Sequence, residues 1–127
     1  VVQLPKNIFD QRMNDEKING IIKKKKIEIH ARSIFLQGTL LKKNNKLRNI
    51  PLRKNLNQWH HWLKTENLKP LNVCVSSAIQ NKDIDKIVVG FDNYLQFKEY
   101  LKVKLEKNNI SFFKTNNQKI INPNLWH

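Results

Sequence analysis

The chain has 127 residues, of which 39% are hydrophobic, and its 24 Lys and Arg against 10 Asp and Glu give a net charge of +14. This length is sufficient for one ordinary domain, and the lone Cys74 excludes an internal disulfide or a cysteine-based zinc cluster. No apolar run reaches the roughly 20 residues that span a bilayer, and no signal-peptide pattern is present, so we expect a cytoplasmic protein without a membrane partner.

The first third of the chain predicts two strands with a helix between them. Residues 1–4 are typical of a short strand, which Pro5 ends because proline cannot continue a central ladder. Residues 14–26 predict a helix, capped by Asn14 or Asp15, with four lysines at its last turn. The isoleucines that set its helical spacing are Ile18, Ile21 and Ile22. Residues 27–31 predict the second strand.

The middle of the chain predicts a loop followed by two helices. Residues 42–54 are dense in Lys and Arg with few aliphatics, which indicates an exposed crossover loop. Residues 55–68 return to helical spacing, and residues 68–80 predict a further helix with Pro70 near its first turn. Cys74 lies on that helix between two valines, which favours a buried structural thiol over a nucleophile.

The last third predicts one more strand, one more helix and a tail. Residues 85–90 are apolar enough for a strand buried on both faces. Asn93 and Gln96 have the spacing of a capping box that begins a helix running to about Leu105. Residues 107–127 are rich in Asn and Lys and predict an ordered tail or a short terminal helix.

Strands that alternate with helices predict an α/β fold with right-handed crossovers and a parallel sheet. Three such strands leave both edges of the sheet unpaired. We therefore expect residues 1–127 to form a single partial domain.

Four segments in the correct order resemble the C-terminal part of an aldo/keto reductase. They are "QLPKNIFDQR", "KKIEIHARSIFLQGTLL", "SSAIQNKDIDKIVVGFDNYLQFKEYL" and "INPNLW", and the second is similar to the "IHARS-FLQG" segment of a bacterial branch of that family. The resemblance implies a (β/α)₈ TIM barrel of which this chain supplies strands six to eight, with Val1 at the start of strand six. It also implies reduction of a small carbonyl substrate by hydride from NADP or NAD.

The resemblance implies cofactor contacts in two strands and the loop after the second. Gln3 matches the glutamine that binds the nicotinamide carboxamide, a task that suits an amide because it donates and accepts; a buried amide bound to backbone is the alternative. Arg32 matches the position that lies against the nicotinamide ring, with an inward salt bridge as its alternative. Ser33, Phe35, Gln37 and Gly38 belong to the loop that contacts the pyrophosphate.

A second group of implied contacts lies at the start of the last helix. The residues that match the turn binding the adenosine phosphate are Gly90, Phe91, Asp92, Asn93 and Gln96. Many NADPH-dependent relatives have Arg or Lys where this chain has Asp92 and Gln96, and a carboxylate repels a 2′-phosphate. The preference between NADP and NAD therefore stays open.

The family's Asp–Tyr–Lys–His tetrad matches no residue of this chain. Tyr94 and Tyr100 belong to the last helix and are expected to be packed, and a lone His30 is more typical of a satisfied core histidine than of a base. His60 and His61 are adjacent, so they diverge on a helix and cannot chelate a metal together. We predict no catalytic residue, no metal site and no activity of this chain by itself.

Two other functions are consistent with the sequence. The charge raises the possibility of a basic module that binds nucleic acid or another anion, although proteins of that kind interleave aromatics with Lys and Arg on one face. Here Phe9, Phe35, Phe91 and Phe97 occupy core-like positions, which favours the enzyme-derived interpretation. Unpaired sheet edges also predict self-association into a structural remnant.

Overall fold

The computed structural model describes residues 1–43 and 46–126, which form a mixed α/β unit. Its three parallel strands follow the order β1-β2-β3, which confirms the predicted parallel sheet. The elements of the described chain are β1 (Val2–Pro5), α1 (Glu16–Lys24), β2 (Ile29–Arg32), α2 (Ile50–Thr65), α3 (Pro70–Ile79), β3 (Lys86–Ile87), α4 (Tyr94–Leu101) and α5 (Gln118–Ile121). Short 3₁₀ turns occupy Arg12–Asn14, Ser111–Phe113 and Pro123–Leu125.

The two faces of the sheet differ in what covers them. Ile29 and Ala31 of β2 are buried, and Ala31 packs with Val75 and Ala78 of α3. The opposite face carries Gln3, which is paired in register with His30, and this face is open to solvent. A parallel sheet is ordinarily covered on both faces, whereas here the face that carries Gln3 and His30 has no covering layer among the described residues.

The third strand differs from its prediction. The ladder is confined to Lys86–Ile87, Val88 is exposed, and β3 lies at the edge of the sheet instead of being buried on both faces. The reason is that nothing in the described chain pairs with its outer side. One further backbone bond, from Val88 N–H to Ala31 O at 2.8 Å, holds the strand end against β2.

The prediction of a loop over residues 42–54 is wrong from Ile50 onward. Asn49 caps α2 by accepting from Leu52 N–H at 3.0 Å, Pro51 lies in the first turn, and Leu52 is fully buried. Asn44 and Asn45, which also belong to that predicted loop, lie outside the described residues.

The caps of α1 and α4 follow the sequence. Asp15 accepts from Lys17 and Ile18 N–H, so α1 begins one residue later, at Glu16, and it ends at Lys24. Asn93 accepts from Gln96 N–H at 3.0 Å, and the Gln96 side chain accepts in return from Asp92 N–H at 3.0 Å. Helix α4 ends at Leu101, four residues before its predicted end.

The main core is assembled around α2 and the tail. Trp59 is fully buried, stacks on Trp62 with centroids 5.5 Å apart and meets Phe113 edge-on at 5.3 Å. The tail contributes Phe113 and the buried residues Ile120 and Ile121 of α5, so this part of residues 107–126 packs into the main core. His127 lies outside the described residues. Cys74 is buried as predicted, and burial raises the pKa of its thiol.

Two helices present apolar side chains to solvent. Helices α1 and α4 bury no residue completely. The exposed apolar residues on them are Ile18, Ile21, Tyr94, Leu95, Phe97 and Leu101. Within residues 1–43 and 46–126, no helix has the length and apolar character to cross a membrane.

Candidate functional site

A cavity of about 1020 Å³ lies where β2 and β3 end; we call it the strand-end cavity. Its walls come from the loop directly after β2, from the segment directly after β3, from the first turn of α3, and from α4 with its C-cap residue. In parallel α/β structures, ligand sites gather at the carboxyl ends of the strands. The position of this cavity is therefore typical of a binding site.

The loop after β2 has an unusual backbone conformation. Ser33, Leu36 and Gln37 have φ values of 58°, 47° and 55°, and Gly38 follows at 76°. Left-handed backbone costs free energy for residues other than glycine, so the surroundings must hold this loop in place. Leu36 is buried in the main core, and Asn7 donates through Nδ2 to Ser33 O at 3.4 Å.

This conformation leaves donors unused beside the cavity. The backbone N–H groups of Gln37 and Gly38 donate to no acceptor among the described residues. Helix α3 also begins at the cavity, and its N-cap residue, Lys69, makes no side-chain cap. Free N–H groups and helix N-termini both favour anions, because each presents partial positive charge.

Charged side chains add to this preference. Of the described residues that line the cavity, three are lysines (Lys42, Lys69 and Lys102) and two, Asp92 and Glu99, carry carboxylates. The cavity therefore combines a net positive lining with unused backbone donors. Such a lining suits an anionic ligand that carries phosphate groups, whose several oxygens can each accept a hydrogen bond.

The wall at the start of α4 is built by aromatic packing. Phe91 meets Phe97 and Tyr100 edge-on, with centroids 5.4 and 5.3 Å apart. This cluster holds the turn from Gly90 to Asp92 against the cavity. Asp92 and Gln96 both line the cavity, and the Gln96 amide donates to the Asp92 carboxylate at 3.4 Å.

Eight of the eleven residues to which the family resemblance gives a cofactor contact line this one cavity. They are Ser33, Phe35, Gln37, Gly38, Gly90, Phe91, Asp92 and Gln96. The other three, Gln3, Arg32 and Asn93, do not line it. Asn93 caps α4, whereas Gln3 and Arg32 lie on the open face of the sheet.

Arg32 remains close to the rim of the cavity, because its Nη1 donates to Ser33 Oγ at 3.3 Å. The open face below it carries Glu28, whose carboxylate contacts Lys86 Nζ at 2.7 Å and His30 Nε2 at 2.9 Å. Lys86, with His30, lowers the pKa of Glu28 to about 2. His30 therefore has a hydrogen-bonding partner, but it lies half-buried on the open face of the sheet and not in the core, where it was expected.

A comparison with protein-family models gives no match for this chain, and a search of curated proteins gives none either. The geometry of the site therefore carries the functional argument.

Sequence reasoning missed the lysines of the cavity and misplaced one tyrosine. Lys42, Lys69 and Lys102 come from three separate segments, and only the folded chain brings them together. Lys69 had one local signal, since it directly precedes the proline that begins α3. Tyr94 was expected to be packed but is 69% exposed, with Lys98 over its ring at 5.6 Å.

Proposed function

We propose that this chain is the cofactor-binding part of an NAD(P)H-dependent aldo/keto reductase barrel. The observation that carries the proposal is the common lining of the strand-end cavity. The lining residues to which the resemblance gives a cofactor contact come from three parts of the chain, which are 33–38, 90–92 and Gln96.

The unmatched surfaces of the sheet support the barrel architecture. Within the described residues the three consecutive parallel strands have one bare face and two unpaired edges, which is what a section of a closed eight-stranded barrel exposes. In such a barrel Gln3 and Arg32 would face the interior, next to the mouth of the strand-end cavity. The exposed apolar side chains of α1 and α4 would contact neighbouring helices.

The residues of the cavity fit the phosphates of a dinucleotide. The N–H groups of Gln37 and Gly38 and the first turn of α3 would bind phosphate oxygens, and Lys69 would neutralise their charge. The cofactor supplies the hydride when bound. Arg32, at the rim, would orient the ring that carries it.

Asp92 favours NADH over NADPH in this proposal. Its carboxylate lines the cavity near the start of α4, where the adenosine end would lie. The 2′-phosphate of NADPH would be repelled there, whereas the free 2′-hydroxyl of NADH could donate to the carboxylate. Replacing Asp92 with Asn is expected to strengthen NADPH binding more than NADH binding.

Cofactor binding is expected to raise the melting temperature of the chain. Millimolar NADH should give a shift that follows the mass-action relation between ligand concentration and stability. Lys69→Glu should weaken binding about tenfold, because it replaces an attractive charge at the phosphates with a repulsive one. The measurement is differential scanning fluorimetry with NADH and NADPH titrated in parallel.

Lys54→Glu is the matched control for that experiment. Lys54 is exposed on α2 and does not line the cavity, so the same charge reversal should leave the shift unchanged. The absence of any shift with both cofactors would contradict the proposal. Nucleic-acid binding with a steep salt dependence would instead support the basic binding module.

The chain alone is expected to oxidise no NADH in the presence of aldehydes and to self-associate. Exposed apolar residues on α1 and α4, together with two unpaired edges, favour contact between copies. Introducing a charge by Leu95→Lys should shift sedimentation towards the monomer. Asn57→Lys adds the same charge on the exposed face of α2 and should leave the sedimentation unchanged. A wild-type chain that sediments as a monomer would contradict this prediction.

A further inference from the structure

A second cavity, of about 430 Å³, lies between α1, α3 and the segment 106–111. We call it the α1–α3 cavity. Among the described residues it shares no lining residue with the strand-end cavity, so its role is independent of the proposed cofactor site. Of the described residues that line it, all but Val73 and Ile110 are polar, which is unusual for the space between a helix layer and a tail.

Several polar atoms around this cavity are left without partners. Asn19 Oδ1, Glu106 Oε2 and Asn108 Nδ2 are inaccessible to solvent in their wall and have no hydrogen-bond partner among the described residues. Buried polar atoms normally have partners, because an unmade hydrogen bond costs free energy. A polar ligand in the cavity could therefore supply the missing hydrogen bonds of two acceptors and one donor.

Lys6 provides an unmatched positive charge in the same wall. Its side chain is 2% exposed, and its Nζ donates to Asn14 Oδ1 at 3.1 Å. Within the described residues it has no ion pair. The nearby Asp10 is already held by Arg12, whose Nη2 and Nε lie 2.7 and 2.9 Å from its two carboxylate oxygens.

Glu106 provides the unmatched negative charge. Its Oε1 accepts from Asn72 Nδ2 at 3.2 Å, its Oε2 is the unpartnered atom, and no described lysine or arginine pairs with it. The other carboxylate of the cavity, Asp83, is compensated by Lys23 at 2.8 Å and by Asn19 Nδ2 at 2.8 Å. One cation and one anion thus line the same cavity without neutralising each other.

We propose that the α1–α3 cavity binds a small zwitterionic amino acid, with its carboxylate on Lys6 and its ammonium on Glu106. A ligand with both charges satisfies the buried Lys6 ammonium and the half-buried Glu106 carboxylate at once, which neither a simple anion nor a simple cation can do. Asn108 can donate to the ligand carboxylate, and Asn19 can accept from its ammonium.

The affinity of this site depends on the charge state of Lys6. Burial lowers the pKa of Lys6 to about 8, with Asp10 opposing and Lys114 adding to the decrease. The other charged groups of the lining are Asp83 and Glu106. Because the ligand carboxylate binds the ammonium form, affinity should fall about tenfold for each pH unit above ~8.

The test is calorimetric titration of the 127-residue chain with glycine, β-alanine, γ-aminobutyrate and δ-aminovalerate, which separate the two charges by increasing distances. At least one of them should bind at millimolar concentration, and acetate and methylammonium should each bind far more weakly. Lys6→Met and Glu106→Gln should each weaken binding at least about thirtyfold. The controls Lys17→Met and Glu16→Gln remove the same charges from exposed positions of α1 and should bind as the wild type does.

Circular dichroism establishes that each variant is folded before it is titrated. No binding by any member of the series would overturn the proposal. It would equally be overturned if binding survived in both Lys6→Met and Glu106→Gln, or if acetate alone bound as tightly as the best zwitterion.

Discussion

Replacing Trp59 with alanine is expected to destabilise the chain by about 3–5 kcal/mol, the usual cost of truncating a fully buried tryptophan. Trp59 is wholly inaccessible to solvent, and its indole touches both Trp62 and Phe113. Its Nε1 also donates to Leu40 O at 2.9 Å, and this bond fixes the chain just after the left-handed loop. The substitution therefore leaves a cavity and an unsatisfied buried carbonyl at the same time.

The measurement is urea denaturation followed by far-UV circular dichroism. Since small domains have about 5–15 kcal/mol of stability in total, the variant should unfold at a much lower urea concentration or be unfolded in water. Phe112→Ala serves as the control: Phe112 contacts the same aromatic cluster but is mostly exposed, so its loss should cost about 1 kcal/mol or less. Equal effects of the two substitutions would show that the core is not centred on Trp59.

Local sequence signals predicted the helices and strands whose start and type do not depend on tertiary packing. Asp15 and Asn93 mark helix starts by their side-chain caps, and the alternation of strands and helices predicts the parallel order. The start of α2 was missed although Asn49 and Pro51 form a recognisable start signal, because the surrounding lysines and arginines suggested a loop. The exposure of β3 could not be read from its apolar sequence, since exposure depends on which strands are neighbours.

The two cavities differ in how far the sequence predicts them. The strand-end cavity is lined largely by loops that directly follow strands, so knowledge of the strand ends already places Ser33 and Gly90 at the same edge. The α1–α3 cavity depends on the tail crossing back to meet Gln11, whose Nε2 donates to Ile110 O at 2.8 Å across 99 positions of the chain. No periodicity or spacing encodes such a contact, and for that reason the burial of Lys6 could not be predicted from the sequence.

Lys6→Met is expected to stabilise the chain, in contrast to most substitutions of buried residues. Burial lowers the pKa of Lys6 from 10.5 to about 8, and since one pKa unit corresponds to ~1.4 kcal/mol, the buried ammonium costs the folded state about 3 kcal/mol at neutral pH. Methionine has a similar length and removes this cost. Asn14 Oδ1 would keep its bond from Asn81 Nδ2 at 3.0 Å, so no acceptor is orphaned.

The pH dependence separates this effect from simple repacking. Below pH 8 the amine is protonated in both the folded and the unfolded states, and the full cost applies. Between pH 8 and 10.5 the unfolded state binds more protons than the folded state, so the wild-type free energy of unfolding should rise with pH through this window. The advantage of Lys6→Met, measured by urea denaturation at each pH, should therefore shrink from about 3 kcal/mol at pH 7 to near zero above pH 10.5.

Lys17→Met controls for the loss of one charge from a strongly basic chain. Lys17 is exposed on α1, so its replacement should change stability little and without a pH window of this kind. A Lys6→Met advantage that stayed constant with pH would mean that shape, and not the buried charge, limits the wild type. A variant less stable than the wild type at pH 7 would mean that the ammonium is solvated inside the cavity. The desolvation cost assigned to the buried Lys6 ammonium would then be absent.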